Sequence, residues 1–164
     1  MGTGKSAVGK MLARKLKRPF VDLDRQIEKE AGQTVQEIFE KDGEPAFRKL
    51  EAKVVREAAE LKNHVIATGG GVMCSEENVQ VLKASGTLVC LTASADTILE
   101  RTSVSLVSRP LLAGGDPRER INELLKLRAP YYARADVTID TTGRTLQEVS
   151  EEILCKIKTE KSKP

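Results

Sequence analysis

Short runs of β-branched and apolar residues alternate along this chain with amphipathic stretches of helical period, and that alternation leaves few folds open. The strand-like runs are Pro19-Phe20-Val21-Asp22-Leu23-Asp24, His64-Val65-Ile66-Ala67-Thr68, Gly86 to Thr92 and Asp136 to Asp140. Ahead of the first, Val8, Met11, Leu12 and Leu16 share one helical face while Lys10, Arg14, Lys15 and Lys17 take the other, and this helix ends before Pro19. Further helices are predicted over Arg25 to Ala31, stopping at Gly32, and from a Thr34 cap through Phe39. A long one follows the break at Gly43, from about Glu44 to Leu61. Others cover Glu76 to Ala84, Ala95 to Thr102 and Leu146 to Ile157. Strands kept apart by helices cannot be hairpin partners, so they predict an α/β fold whose parallel sheet is covered on both faces. Ligands of such sheets bind at the carboxyl ends of the strands. Here those ends carry Asp22 and Asp24, then Gly69-Gly70-Gly71, then Thr92.

Bulk properties narrow the class. With 164 residues, 40% hydrophobic and 31% charged, the chain has the balance of one globular domain. A net charge of +3, spread along the sequence, is too mild to argue for nucleic acid. Cys74, Cys90 and Cys155 are odd in number and far apart, so neither a disulfide framework nor a metal-ligand spacing is visible, and they read as buried or inert residues of a reducing cytosol. No apolar run approaches the roughly 20 residues that span a bilayer, and the N-terminus lacks the apolar core of a signal peptide. The absence of Trp leaves little for stacking on a base, so a nucleotide base would need arginine.

The chemistry-bearing residues sit in four places. Met1-Gly2-Thr3-Gly4-Lys5-Ser6 ends in the Gly-Lys-Ser of a phosphate-binding loop directly ahead of a helix. Such a loop offers backbone N–H groups and a helix N-terminus to phosphate, with Lys5 reaching the β- and γ-phosphates and Ser6 binding Mg²⁺. The same three residues could also be a plain glycine-rich helix start. Asp22 and Asp24, one residue apart at a strand end, leave the strand on one side and can serve a metal shell and a substrate hydroxyl; alternatively, Asp24 caps the helix at Arg25. Gly69-Gly70-Gly71 lets backbone approach a ligand, because no Cβ intervenes and positive φ is open to it; a sharp turn would need fewer glycines. Arginines stand at Arg48, Arg101, Arg109, Arg128 and Arg144, where a guanidinium fork can bind carboxylate or phosphate in two-pronged fashion, though each alone also suits a solvated surface. Arg109 stands out, since Ser108-Arg109-Pro110-Leu111-Leu112-Ala113-Gly114-Gly115-Asp116 has the composition of a lid between helices. His64 reads as a polar edge residue, and Met11 and Met73 as packing.

In chain order, Gly2-Thr3-Gly4-Lys5-Ser6, Val21-Asp22-Leu23-Asp24, Ile38-Phe39 with Gly43-Glu44 and Phe47-Arg48, Gly69-Gly70-Gly71-Val72, Arg109-Pro110-Leu111-Leu112 and Arg128-Ala129-Pro130-Tyr131-Tyr132 resemble the shikimate kinase family over nearly the whole chain. The resemblance implies a three-layer α/β/α P-loop kinase fold with a parallel sheet ordered 2-3-1-4-5. It also implies ATP-dependent phosphorylation of the 3-hydroxyl of shikimate, on the route to chorismate and the aromatic amino acids. Gly2, Thr3, Gly4, Lys5, Ser6 and Ala7 would hold the ATP phosphates, Ser6 and Asp22 the Mg²⁺, and Arg101 and Arg144 would flank adenine. Asp24 would hold the shikimate hydroxyls and accept the proton of the attacking one. Arg48 and Arg128 would clamp its carboxylate, with Glu51 orienting Arg48 and with Gly69, Gly70 and Gly71 as backbone contacts. Arg109 would swing in with the lid to meet the transferring phosphoryl group. The implied partners are ATP and shikimate alone, without nucleic acid or membrane, in a cytoplasmic monomer. Alternatives are a gluconate-kinase-like acceptor preference and an impaired remnant of a kinase.

On this reading residues 1–158 are one kinase domain, with acceptor-binding helices over about 25–62, a lid over about 103–117 and a disordered tail at 159–164. The sequence departs from the family pattern at its start, where the first glycine of the P-loop and the strand before it do not occur. That strand is central in the resembling sheet, and each buried backbone group left without a partner costs about 1–3 kcal/mol. The expectation is therefore a severely destabilised chain, with Met1 an internal methionine of a longer natural protein.

Overall fold

The computed structural model describes residues 2–102 and 116–161. Helix α1 (Lys5–Leu16) is entered from Gly4 in the left-handed region (φ 87°) and left through Lys17, also left-handed (φ 53°), whose N–H returns to the last carbonyls of the helix. Strand β1 (Phe20–Asp22) follows, then α2 (Leu23–Ala31), α3 (Val35–Lys41) and α4 (Gly43–Ala59). Thr34 caps α3 as predicted, in a reciprocal box: its hydroxyl accepts from the Glu37 N–H while the Glu37 carboxylate accepts from the Thr34 N–H at 2.8 Å. Strand β2 (Val65–Ala67) runs into the glycines, a single 3₁₀ turn at Val72–Cys74 and α5 (Glu76–Ser85). Then come β3 (Val89–Thr92), α6 (Ala95–Thr102), α7 (Pro117–Tyr132), β4 (Val137–Asp140) and α8 (Leu146–Lys161).

Strand β1 pairs in parallel with β2, Val21 opposite Ile66, and β3 pairs in parallel with β4, Leu91 opposite Ile139. These are the 2-3 and 4-5 pairings of the expected order. Among the described residues β2 and β3 are not hydrogen-bonded to each other. A cavity of about 570 Å³ lies along them, lined on its sides by Val65, Ile66, Val89 and Leu91 and reaching Thr3 and Lys5. Each pair has its own core. Leu23, Ile27, Ile38, Phe47, Val54 and Val55 pack beside β1 and β2, while Val8, Leu12, Val137, Ile139, Val149 and Ile153 join α1 and α8 to β4. Helix α1 touches both β1 and β2 as well as α8, and so ties the halves together.

Several boundaries differ from expectation. Asp24 lies not at a strand end but in the first turn of α2, because the strand stops at Asp22 and the helix begins at Leu23, whose side chain is fully buried. Asp22 takes the N-cap position without making a side-chain cap bond, and Asp24 is one turn-position inside the helix, so neither acts as the cap that the sequence left open. Helix α7 entered the sequence reading only as the unbounded helix after the lid: Pro130 inside it and the exposed Leu127 disturb the apolar stripe that Ile121 and Leu124 bury. Its start, with Asp116 as cap and Pro117 in the first turn, takes the last two positions assigned to the lid. At the other end α8 continues to Lys161, so residues 159–161 are helical rather than tail. Cys74 and Cys155 are exposed and Cys90 is half-buried, so of the expectation that the cysteines are buried or inert, burial fails for Cys74 and Cys155.

Candidate active site

The glycine loop meets two cavities. Gly2 (φ 64°) and Gly4 (φ 87°) both adopt left-handed backbone, and a Cβ on Gly2 would stand 2.9 Å from Ile98 Cγ2. Thr3 between them is buried, its hydroxyl without a hydrogen-bond partner among the described residues, and its carbonyl is approached by the Thr141 hydroxyl at 3.4 Å. On one side, a cavity of about 360 Å³ is lined by Thr3, Gly4, Ala7, Arg101, Thr141 and Arg144. The two arginines named from the sequence thus converge on the loop from α6 and from the turn before α8. Both are held: Arg101 donates to the Thr141 hydroxyl at 3.0 Å and its carbonyl at 2.9 Å, and Arg144 donates to the Asp140 carbonyl at 3.0 Å and pairs with Glu152.

At the start of α1, Ser6 donates its hydroxyl to Asp22 Oδ2 at 2.6 Å. This places a hydroxyl and a carboxylate side by side beneath the loop, although they are 16 residues apart in sequence. Among the described residues no group of three or more His, Cys, Asp or Glu side chains could cage a metal. Two oxygen donors nevertheless suit Mg²⁺, which keeps several waters and binds through one or two protein groups plus phosphate.

On the other side of Asp22 lies a cluster of charge. Asp24 is open to solvent at its surface but crowded by protein on its inner side, and that desolvation, with the neighbouring Asp22 and Glu28 carboxylates, raises its pKa against the pull of Lys5. Glu51 is buried at 2% exposure and accepts from Arg48 Nη1 at 2.7 Å. Its burial raises its pKa, while the Arg48 hydrogen bond and the nearby Arg128 oppose that rise. Arg48 also grips Glu44 at 2.8 Å and lies over the Phe47 ring, 5.3 Å from its centroid. Arg128, from α7, is itself buried.

The glycines after β2 complete the cluster, for a reason other than backbone conformation. Neither Gly69 nor Gly71 (φ −88°) has positive φ. A Cβ on Gly69 would stand 2.8 Å from Asp24 Oδ1 and 3.3 Å from Glu51 Oε1, and one on Gly71 would stand 2.3 Å from Arg48 Nη1. Close approach of Asp24, Glu51 and Arg48 therefore requires glycine at both positions. Sequence reasoning did not single out Tyr132, whose hydroxyl donates to the Gly70 carbonyl at 2.8 Å, or Arg134, which donates to the Met73 carbonyl at 2.6 Å and pairs with Glu76. The position of Tyr132 one helical turn after Arg128 is the signal that could have found the first. Arg109 lies outside the described residues.

A glycine loop opening a helix, a hydroxyl–carboxylate pair beneath it and a cluster of arginines and carboxylates beside it fit a P-loop kinase of a small anionic metabolite. The family model described as Shikimate kinase matches residues 1–158. The shikimate kinase of Caldanaerobacter subterraneus subsp. tengcongensis is 50% identical over 154 residues, 94% of this chain and 90% of its own. That of Thermodesulfovibrio yellowstonii is 48% identical over 94% of this chain and 88% of its own. Among solved structures, the shikimate kinase from Acinetobacter baumannii in complex with shikimate superposes with a TM-score of 0.94 at 39% identity, covering 99% of this chain and 91% of that one. The chain belongs to the shikimate kinase family.

Proposed function

We infer that the chain transfers the γ-phosphoryl group of ATP to the 3-hydroxyl of shikimate, giving shikimate 3-phosphate and ADP. The observation that carries this reading is the cluster of Asp24, Arg48 and Glu51 around the glycines, with Arg128 lining the same cavity as Gly69, Gly70 and Lys5 and Lys5 near enough to pull on the Asp24 carboxylate. It offers what an anionic polyol needs: guanidinium groups for a carboxylate and a carboxylate for hydroxyls. Phosphoryl transfer asks the protein for positioning and positive charge rather than covalent chemistry.

In this reading Lys5 and the amides of Gly2 to Ala7 hold the phosphates, and Arg101 and Arg144 border the adenine. Bound beside Ser6 and Asp22, Mg²⁺ would neutralise charge on the phosphates. Asp24 orients the attacking hydroxyl and takes its proton at a carboxylate oxygen, a role helped by a raised pKa. Arg48, held by Glu51, and Arg128 clamp the acceptor carboxylate against Gly69 to Gly71. Arg109, in the segment read as the lid, meets the transferring group. We place the enzyme in the cytoplasm as a monomer; among the described residues no helix is long and apolar enough to cross a membrane.

A coupled ADP-release assay tests the reading. Release should depend on shikimate and should fall at least about 100-fold in Lys5→Ala and in Asp24→Ala. Release that is indifferent to shikimate sinks it. Gluconate serves as the competing acceptor, and Arg48→Ala should raise the KM for shikimate far more than that for ATP.

A further inference from the structure

The three consecutive glycines that let Asp24, Glu51 and Arg48 close in also make the loop the backbone with the most conformational freedom to lose. Something outside the loop has to hold it. The last turn of α7 does so at two points. Tyr132 donates its hydroxyl to the Gly70 carbonyl at 2.8 Å. Arg134, just past the helix, donates to the Met73 carbonyl at 2.6 Å, pairs with Glu76 and lies over the Tyr131 ring, 5.5 Å from its centroid.

The first of these points bears on the acceptor. A trans peptide is planar, with its C=O and the following N–H on opposite sides, so fixing the Gly70 carbonyl toward α7 turns the Gly71 N–H away from α7. On Gly71 the close neighbour is Arg48, from α4. The Gly70–Gly71 peptide is thus held from the α7 side by Tyr132, with the arginine read as an acceptor clamp close against Gly71. Tyr132 also follows Arg128 by one helical turn, and both line the cleft that Lys5, Gly69 and Gly70 line. Burial raises the Tyr132 pKa, so the phenol keeps its proton and remains a donor throughout the working pH range.

We propose that Tyr132 is a positioning residue of the acceptor site, setting the Gly70–Gly71 peptide so that the glycine wall and the Arg48–Arg128 clamp fit the acceptor together. The proposal rests on the reading of that cluster as the shikimate site. It makes the glycine loop and the second clamp arginine parts of one unit, carried by α7.

The test is Tyr132→Phe in the full-length protein, with Tyr131→Phe as a matched control on the neighbouring exposed ring. Steady-state kinetics and amide exchange over residues 69–74 are read together. The expected result for Tyr132→Phe is a KM for shikimate raised about fivefold, the size of one net hydrogen bond, with kcat and the KM for ATP unchanged. The amides of the loop exchange faster even without ligand, and Tyr131→Phe behaves as wild type. A purely structural tyrosine would lower the melting temperature and leave both KM values alone, which overturns the proposal. So does an equal rise in both KM values, or a loop whose exchange is unaltered. Wild-type protein that fails to consume shikimate is a different outcome: it overturns the proposed function, and the role of Tyr132 toward the acceptor falls with it.

Discussion

If Asp24 takes the proton as proposed, the demands of catalysis and of folding pull in opposite directions there. Its pKa is raised by desolvation and by the Asp22 and Glu28 carboxylates, so between the unfolded and the folded pKa the folded state binds more protons. The stability this group contributes is complete below the unfolded value and is lost as pH rises through the folded one. At neutral pH the ionised carboxylate is therefore a net cost to the fold. Asp24→Asn is expected to raise the melting temperature at pH 7 while lowering kcat by about 10²–10⁴, the usual range for a lost general base. A lower melting temperature would contradict this assignment of cost. In the wild type the acid limb of kcat/KM should have its midpoint above the ordinary aspartate value of about 3.9. Gly71 offers a second check. Its Cβ would meet Arg48 Nη1 at 2.3 Å, so Gly71→Ala should displace that guanidinium and raise the KM for shikimate with little effect on that for ATP. Lys5, Asp24, Arg48 and Arg128, to which the proposed function gives roles, stood out in the sequence through charge and motif: Lys5 behind Gly4, Asp24 paired with Asp22, Arg48 after Phe47, and Arg128 ahead of Ala129-Pro130. Tyr132 stood in the sequence only as the end of the Arg128 motif, since a tyrosine proposed to act through one carbonyl reads like any aromatic of a helix face.

Among the elements, punctuation fixed some boundaries and its absence blurred others. Gly32, Thr34 and Gly43 mark the ends of α2, α3 and α4, and the structure places the boundaries within a few residues of them. The β1–α2 junction carries no such mark: Val21-Asp22-Leu23-Asp24 alternates like a strand, but burial of Leu23 against Ile27 makes it the first helical residue. Tertiary packing overrode the local pattern there, and Asp24 still reaches the site because α2 starts at the strand's carboxyl end. The paired strands also predict a pattern of exchange. Val65 N–H donates to the Pro19 carbonyl and Thr141 N–H to the Thr92 carbonyl, so alternation turns the N–H groups of Ile66, Val89 and Leu91 toward the cavity between β2 and β3. These amides should exchange markedly faster than those of Ala67 and Cys90 in the same strands. Equal protection across both sets would show that the two edges are paired in solution.

On the scale of the molecule, the site lies where two half-sheets and their separate cores meet. The cluster proposed to hold the acceptor is built on the β1–β2 half, by α2, α4 and the glycines, with α7 reaching across to it. The cavity proposed for the nucleotide is built around the loop at the start of α1, by α6, the turn before α8 and the start of α8. Helix α1 connects the two, carrying Lys5 and Ser6 between the cavities. The alternation of strands and helices announced the parallel α/β arrangement, and the resemblance implied that Arg101 and Arg144 share a site, whereas the Thr141 and Glu152 contacts that hold the two arginines needed the folded chain. All of it serves one transfer between two bound molecules. Nuclear magnetic resonance of the product formed from ATP and shikimate tests that most directly. The account predicts a single phosphomonoester whose phosphorus couples to the proton at carbon 3 of shikimate, formed in step with ADP. Inorganic phosphate as the product, or a phosphate on another hydroxyl, would contradict it.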